Sequence, residues 1–183
     1  MKKIILAIAA VAALSANTAF AEGYYVGGSV GQSHVNIDCS GATDCTDNST
    51  GYKLFGGYKF APNIAGELSY FDFGKVHATV APDTVSLKST GFGLGVAFLG
   101  DFAPQWKGVG RLGIASTSTK ATVSGSVNGS DTDRSTNAYV GLGVGYEIQK
   151  GLTIDGTLDF TRLKYASQSA NVRVLSVGLT YAF

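Results

Sequence analysis

Charge is scarce in this chain of 183 residues: Asp, Glu, Lys and Arg make up 15% of it, while 45% is hydrophobic. Soluble domains carry roughly a quarter charged residues. The net charge is only +1, and no basic run or stripe offers the footprint that a nucleic acid requires. Beyond residue 14 no apolar run is long enough for a spanning helix, and an amphipathic period of 3.6 recurs nowhere. Cysteine is limited to Cys39 and Cys45, and histidine to His34 and His77. That is too few ligands for a structural metal cage, and few bases for nucleophilic catalysis. A chain so poor in charge either buries nearly everything in a soluble core or has lipid as part of its solvent.

What is present begins with an address. Met1-Lys2-Lys3 precedes an apolar run from Ile4 to Leu14 and then Ala19-Phe20-Ala21. A charged start, a short apolar stretch and a small-residue cleavage site predict a secretory signal peptide over residues 1–21. The mature domain is then 22–183, one domain of ordinary size. In an exported protein Cys39 and Cys45, on either side of Ser40-Gly41-Ala42-Thr43-Asp44, are expected to form a disulfide closing a small loop.

Alternation by two runs through nearly every later segment. Phe92, Leu94, Val96 and Phe98 oppose Gly91, Gly93, Gly95 and Ala97; Val140, Leu142, Val144 and Tyr146 oppose Gly141, Gly143 and Gly145. The terminal "LSVGLTYAF" repeats the pattern. Eight such segments predict an all-β fold. Their connections alternate in length: tight turns at Ala61-Pro62-Asn63, Asp101 to Gln105 and Gln149-Lys150-Gly151, against longer polar ones near 36–48, 75–84 and 119–133 and a short one near 165–170. Short on one side and long on the other is the habit of an up-and-down transmembrane barrel. Large apolar residues would then face acyl chains, and Gly, Ser, Thr, Ala and occasional charges would pack the lumen. Closure requires the last strand to pair with the first, since an open edge in lipid costs several kcal/mol per unmet backbone group. Tyr24, Phe60, Trp106, Tyr146, Tyr181 and Phe183 fall toward the turn side as one aromatic girdle.

The opening "GYYVGGSVGQSH", the segment "GYKFAPNIAGELSYFDFGKV", "YVGLGVGYEI" and the terminal "LSVGLTYAF" resemble the small eight-stranded outer-membrane barrels of Gram-negative bacteria, the OmpA-like transmembrane domain and its Opa/NspA-type and OmpX-type relatives. The resemblance spans the mature chain. It implies an eight-stranded antiparallel up-and-down transmembrane β-barrel in the cell outer membrane, both termini in the periplasm and the long loops outside. It also implies that Gly178, Leu179, Tyr181 and Phe183 are the signal read by the barrel-assembly machinery, with periplasmic chaperones as further partners. A wall-binding domain of the OmpA type is not expected after the barrel.

Inward charges are the candidate site. Counted from the short turns, Glu67, Arg111, Glu147 and Asp155 fall at comparable depth, with Lys53, Lys59, Lys107 and Asp159 nearby. Buried charges must be paired, so these eight are expected to form a lumen ion-pair network, read either as a packed polar core or as a gate. Gly108 to Gly113 matches G-x-G-x-x-G, but the motif needs a helix after it and a Ser/Thr-rich stretch follows. A dyad of His34 with Asp38 has no serine spaced to meet it. No cofactor, metal or nucleic acid is expected. The functional expectation is a non-catalytic outer-membrane protein surrounded by membrane lipid and lipopolysaccharide, its loops available for adhesion or host contact. The alternatives are a small passive pore and a lipid-modifying enzyme.

Overall fold

The computed structural model describes residues 23–36, 44–80, 83–125, 128–165 and 168–183. The expected signal peptide, Asp38 and Cys39 lie outside the described residues, and with Cys39 so does the expected bridge to Cys45. Among the described residues nine strands follow in order: β1 Tyr24–Val35, β2 Asp44–Thr46, β3 Asn48–Ala61, β4 Ile64–Val80, β5 Asp83–Ala103, β6 Trp106–Ser124, β7 Gly129–Gln149, β8 Leu152–Tyr165 and β9 Gln168–Ala182. Eight of them close a barrel in which every neighbour in sequence is a neighbour in space. The ring shuts where β1 meets β9, from Tyr25 opposite Ala182 to Val35 opposite Val172, so no barrel edge is left for lipid to face. The ninth strand, β2, is an addition to the eight expected: it pairs Asp44 with Thr79 through Thr46 with His77, beside the far end of β4.

The tight turns lie where the turn residues predict them, at Pro62-Asn63, Pro104-Gln105 and Lys150-Gly151, between the strand ends just given. Gly151 takes φ 80° there, a left-handed conformation open chiefly to glycine. At the other end the sequence reading needs correction. The stretches 75–84 and 119–133 are mostly paired strand and not loop: β4 and β5 stay paired out to Val80 opposite Asp83 across one shift of register, and β6 and β7 stay in register to Val123 opposite Gly129. Along residues 130–137 both faces are polar, which reads as loop composition, yet backbone pairing does not require an apolar face; Val76, Ala78 and Val80 do alternate, but too briefly beside Ala81-Pro82-Asp83 to stand out. Strands β5 and β7 reach 21 residues each, about twice what a tilted strand needs to span a bilayer. The surplus makes β4 to β7 a wall standing above the barrel.

The outer surface is apolar. Leu54, Leu68, Phe92, Leu94, Leu142, Leu175 and Val177 are each about 60% exposed, an arrangement water would penalise at roughly 25 cal/mol per Å². Five of the six aromatic residues expected at the turn end make ring contacts there: Tyr24 with Tyr58 at 4.7 Å between ring centroids, Trp106 with Tyr146 at 5.3 Å, and Tyr181 with Phe183 at 5.0 Å. Among the described residues no helix is long and apolar enough to cross a membrane.

Candidate functional site: the barrel lumen

The lumen differs from the sequence reading in its contents. Small residues do line it, but so do Tyr25, Phe55, Phe71, Phe73 and Tyr139, all buried. Glycine makes room for them. A Cβ at Gly27 would strike the Phe55 ring, one at Gly57 the Tyr25 ring, and one at Gly93 would lie 2.8 Å from Phe71. The inward face at this level is therefore a jigsaw of rings against bare backbone.

Around those rings sit the charges. Lys53 on β3 and Asp159 on β8 meet at 3.2 Å, and Arg111 on β6 donates through Nε to both oxygens of Glu67 on β4, at 2.9 and 3.0 Å. All four are 4–5% exposed. Each carboxylate is held by further donors: Tyr139 Oη donates to Asp159 Oδ1 at 2.7 Å, while Tyr25 Oη at 3.1 Å and Ser69 Oγ at 3.2 Å donate to Glu67. Lys53 Nζ in turn donates to Tyr139 Oη at 2.6 Å. Desolvating an ion costs several kcal/mol, and only such dense partnering offsets it. Phe55 joins the two pairs, with Lys53 Nζ 5.3 Å and Arg111 Cζ 4.7 Å from its centroid, within the range of cation–π attraction.

The eight charged positions do not form one layer. Lys53, Glu67, Arg111 and Asp159 make the buried quartet. Nearer the turns, Lys107 pairs with Glu147 at 3.3 Å and with Asp101 at 3.4 Å, and these are half-buried or exposed. Glu147 is thus not level with Glu67 and Arg111. Asp155 is buried apart from the quartet, with Oδ2 accepting from Thr180 Oγ1 at 2.7 Å. Lys59 makes no ion pair among the described residues; it lines a turn-end cavity of about 350 Å³ together with Lys107, Arg111, Glu147 and Asp155. Counting residues from a turn misplaces these depths because strand stagger around a barrel shifts each strand relative to the next.

Beyond the quartet, toward the long strands, the lumen turns apolar. Val35, Phe71, Phe73, Val76, Tyr139, Leu163, Val172 and Val174 form one buried cluster, with Phe71 and Phe73 stacked at 5.6 Å. Nothing in the alternation signals this plug. A bulge between Asp72 and Lys75, with Gly74 at φ 79°, shifts the inward parity of β4 so that Phe73 and Val76 both point inside.

The other candidates fall away from the lumen. His34 lies 3.3 Å from Asp47 and 3.0 Å from Asn48, and His77 lies 3.4 Å from Asp44, all beyond the apolar belt. The G-x-G-x-x-G stretch is the interior of β6. Among the described residues no cluster of His, Cys, Asp and Glu could hold a metal ion.

A closed antiparallel barrel, apolar outside and packed with paired charge inside, defines an outer-membrane β-barrel protein. The chain belongs to the outer membrane protein beta-barrel domain family, which it matches over residues 4–183. It is similar in structure to Neisserial surface protein A (TM-score 0.63, 15% identity, 89% of this chain and 99% of that one). It is also similar to Ail, the attachment invasion locus protein of Yersinia pestis (TM-score 0.56, 18% identity, 87% and 99%), and to OprG from Pseudomonas aeruginosa (TM-score 0.53, 12% identity, 89% and 98%). Identities this low speak for the fold. No curated protein matches in sequence.

Proposed function

We propose that this protein is a non-conducting barrel of the outer membrane whose activity lies at its outer surface, in adhesion or host contact through the long strands and loops. The observation that carries this is the double seal of the lumen. The buried quartet fills one level and the apolar cluster around Phe71 and Phe73 fills the next, so hydrated ions have no continuous path. Eight strands leave room for side chains and little else. The similarity to Ail, the attachment invasion locus protein, supports a surface role.

In this reading residues 1–21 are removed on export, both chain ends of the barrel lie on the periplasmic side with the short turns, and Gly178, Leu179, Tyr181 and Phe183 serve the assembly machinery. The two strand ends are joined there, where Phe183 N donates to Tyr24 O at 3.0 Å. Cys39 and Cys45 close a loop on the outer side.

A passive pore is the second reading, favoured by the turn-end cavity. Planar-bilayer recordings separate the two. The native barrel is expected to be silent; reproducible unitary steps that change on Arg111→Ala would move the reading to a pore. Adherence of cells expressing the protein to host-matrix surfaces, against cells lacking it, checks the surface role. Unaltered lipopolysaccharide and phospholipid profiles on overexpression are expected, and a new acylation or deacylation product would point to a lipid-modifying enzyme.

A further inference from the structure

The outward face of the barrel is electrically lopsided. At the turn end its strands present aromatic and aliphatic residues with no charge among the described positions. At the other end, beyond the apolar belt, they present Lys75, Lys88, Lys120, Arg134, Arg162 and Arg173. Among the described residues the carboxylates on that outward side are Asp72, Asp44 and Asp47, and the last two lie beside His77 and His34.

Three of these cations line up. Lys75 on β4 is directly opposite Lys88 on β5, and Lys88 is directly opposite Lys120 on β6. Arg134 on β7 stands opposite Ser118, one outward position from Lys120. Like charges in direct cross-strand pairs are destabilising, and among the described residues only Asp72, 3.6 Å from Lys88, answers them. A sheet does not keep such a ladder to stabilise itself.

Its height suggests its occupant. On β5 the outward apolar run goes from Phe102 to Phe92, about 33 Å of strand at 3.3 Å per residue, or roughly 23 Å along the membrane normal at a tilt near 45°. That matches the apolar band of about 25 Å of outer-membrane barrels. Lys88 lies beyond Phe92 on the same face, roughly 9 Å above the band by the same measure, at headgroup level, with a stem long enough to reach down or out. We propose that the Lys75–Lys88–Lys120 ladder, flanked by Arg134, is a binding site for the phosphate groups of the glycolipid in the adjoining leaflet, bis-phosphorylated lipid A, whose negative charges bridge the lysines. The proposal rests on the outer-membrane orientation given above but not on the sealed lumen.

The test uses the full-length mature barrel folded into detergent and then into nanodiscs of phosphatidylcholine alone, with lipid A, or with dephosphorylated lipid A. The comparison is the triple variant K75Q/K88Q/K120Q, with Lys59→Gln at the turn end as a control. Native mass spectrometry of the released barrel is expected to show retained lipid A that the triple variant loses by roughly 100-fold, three lysines at about fivefold each on an anionic surface. Lys59→Gln should keep it. In zwitterionic detergent the triple variant should unfold at a temperature no lower than the native barrel, because repulsion has been removed; with lipid A the order should reverse. Equal retention by native and triple variant overturns the proposal. So does equal retention of the dephosphorylated lipid, or binding of a soluble sulfated polysaccharide through the same lysines without any lipid A effect.

Discussion

Arg111 and Glu67 reach each other across β5, the strand between theirs, and bind through one nitrogen and two oxygens at 2.9 and 3.0 Å. The pair lies buried in the lumen beside Phe55, and its partners Tyr25 and Ser69 belong to it as much as the ions do.

Removing one member should be costly. Glu67→Ala leaves a buried guanidinium unanswered, and the expected loss is about 3–5 kcal/mol of folding free energy. The double variant E67L/R111M should recover most of that loss, since a packed apolar replacement avoids desolvation altogether. Urea unfolding in phospholipid vesicles, followed by heat-modifiable gel migration, measures both. Equal stability of single and native proteins would deny the pair its sealing role.

Glycine on the inward face should be irreplaceable and glycine on the outward face indifferent. Gly141 lies between Arg111 and Asp159 in register, and a Cβ there would collide with the Asp159 carboxylate and crowd Tyr139 Oη at 3.0 Å. Gly141→Val is expected to cost at least the roughly 1–3 kcal/mol typical of overpacking. Gly66, where a Cβ would meet nothing within 4 Å, should accept valine with little change. Folding yields of the two variants in the same vesicles give the comparison.

The wall above the barrel ends in an edge. β7 pairs with β8 only from Tyr139 opposite Thr161 down to the turn, so residues 129–137 have β6 on one side and no described strand on the other. Ala138 O accepts from Thr161 Oγ1 on that open side, whereas Ser135 O faces β6, accepting from Thr117 Oγ1. Even-numbered residues therefore direct their backbone groups outward along the edge. Two of those amides are answered locally: Thr132 N donates to Asp131 Oδ1 at 2.9 Å and Arg134 N to Asp133 Oδ1 at 2.7 Å. Carboxylates that occupy edge amides oppose strand addition by other chains. The double variant D131A/D133A should self-associate in detergent at concentrations where the native barrel is monomeric. Light scattering that finds both monomeric would remove this role from the two aspartates.

Much of this architecture was legible because lipid and lumen impose opposite demands on alternate residues. Phe92, Leu94, Val96 and Phe98 announce an outward face, and Pro62-Asn63 announces a turn. The hairpin extensions were not legible: around Thr132 both faces are polar, so alternation has nothing to display, and the apolar alternations of Val76, Ala78 and Val80 and of Ala121 and Val123 are short and set among turn-forming residues. The plug was hidden for the opposite reason. Tyr70 and Phe71 are both aromatic, so β4 gives no contrast there, and the bulge at Gly74 then changes parity without any apolar cue. The charged residues at the site were each visible in sequence, but their sorting into a buried quartet and a rim pair depends on barrel stagger.

Lipid contact with the belt is the physical claim beneath all of these, and tryptophan is well placed to test it. The chain has a single tryptophan, Trp106, at the turn-end girdle and 45% exposed. Phe98 is 47% exposed near the middle of the outward run from Phe102 to Phe92, so the double variant F98W/W106F carries its one indole at the centre of the belt, and the native chain carries its own at the girdle. Both are reconstituted in vesicles of phospholipids brominated at different depths. The account predicts that bromines deep in the acyl chains quench the double variant most strongly, and that bromines near the headgroup quench the native protein most strongly. Fluorescence of both proteins that ignores bromine depth altogether would contradict it.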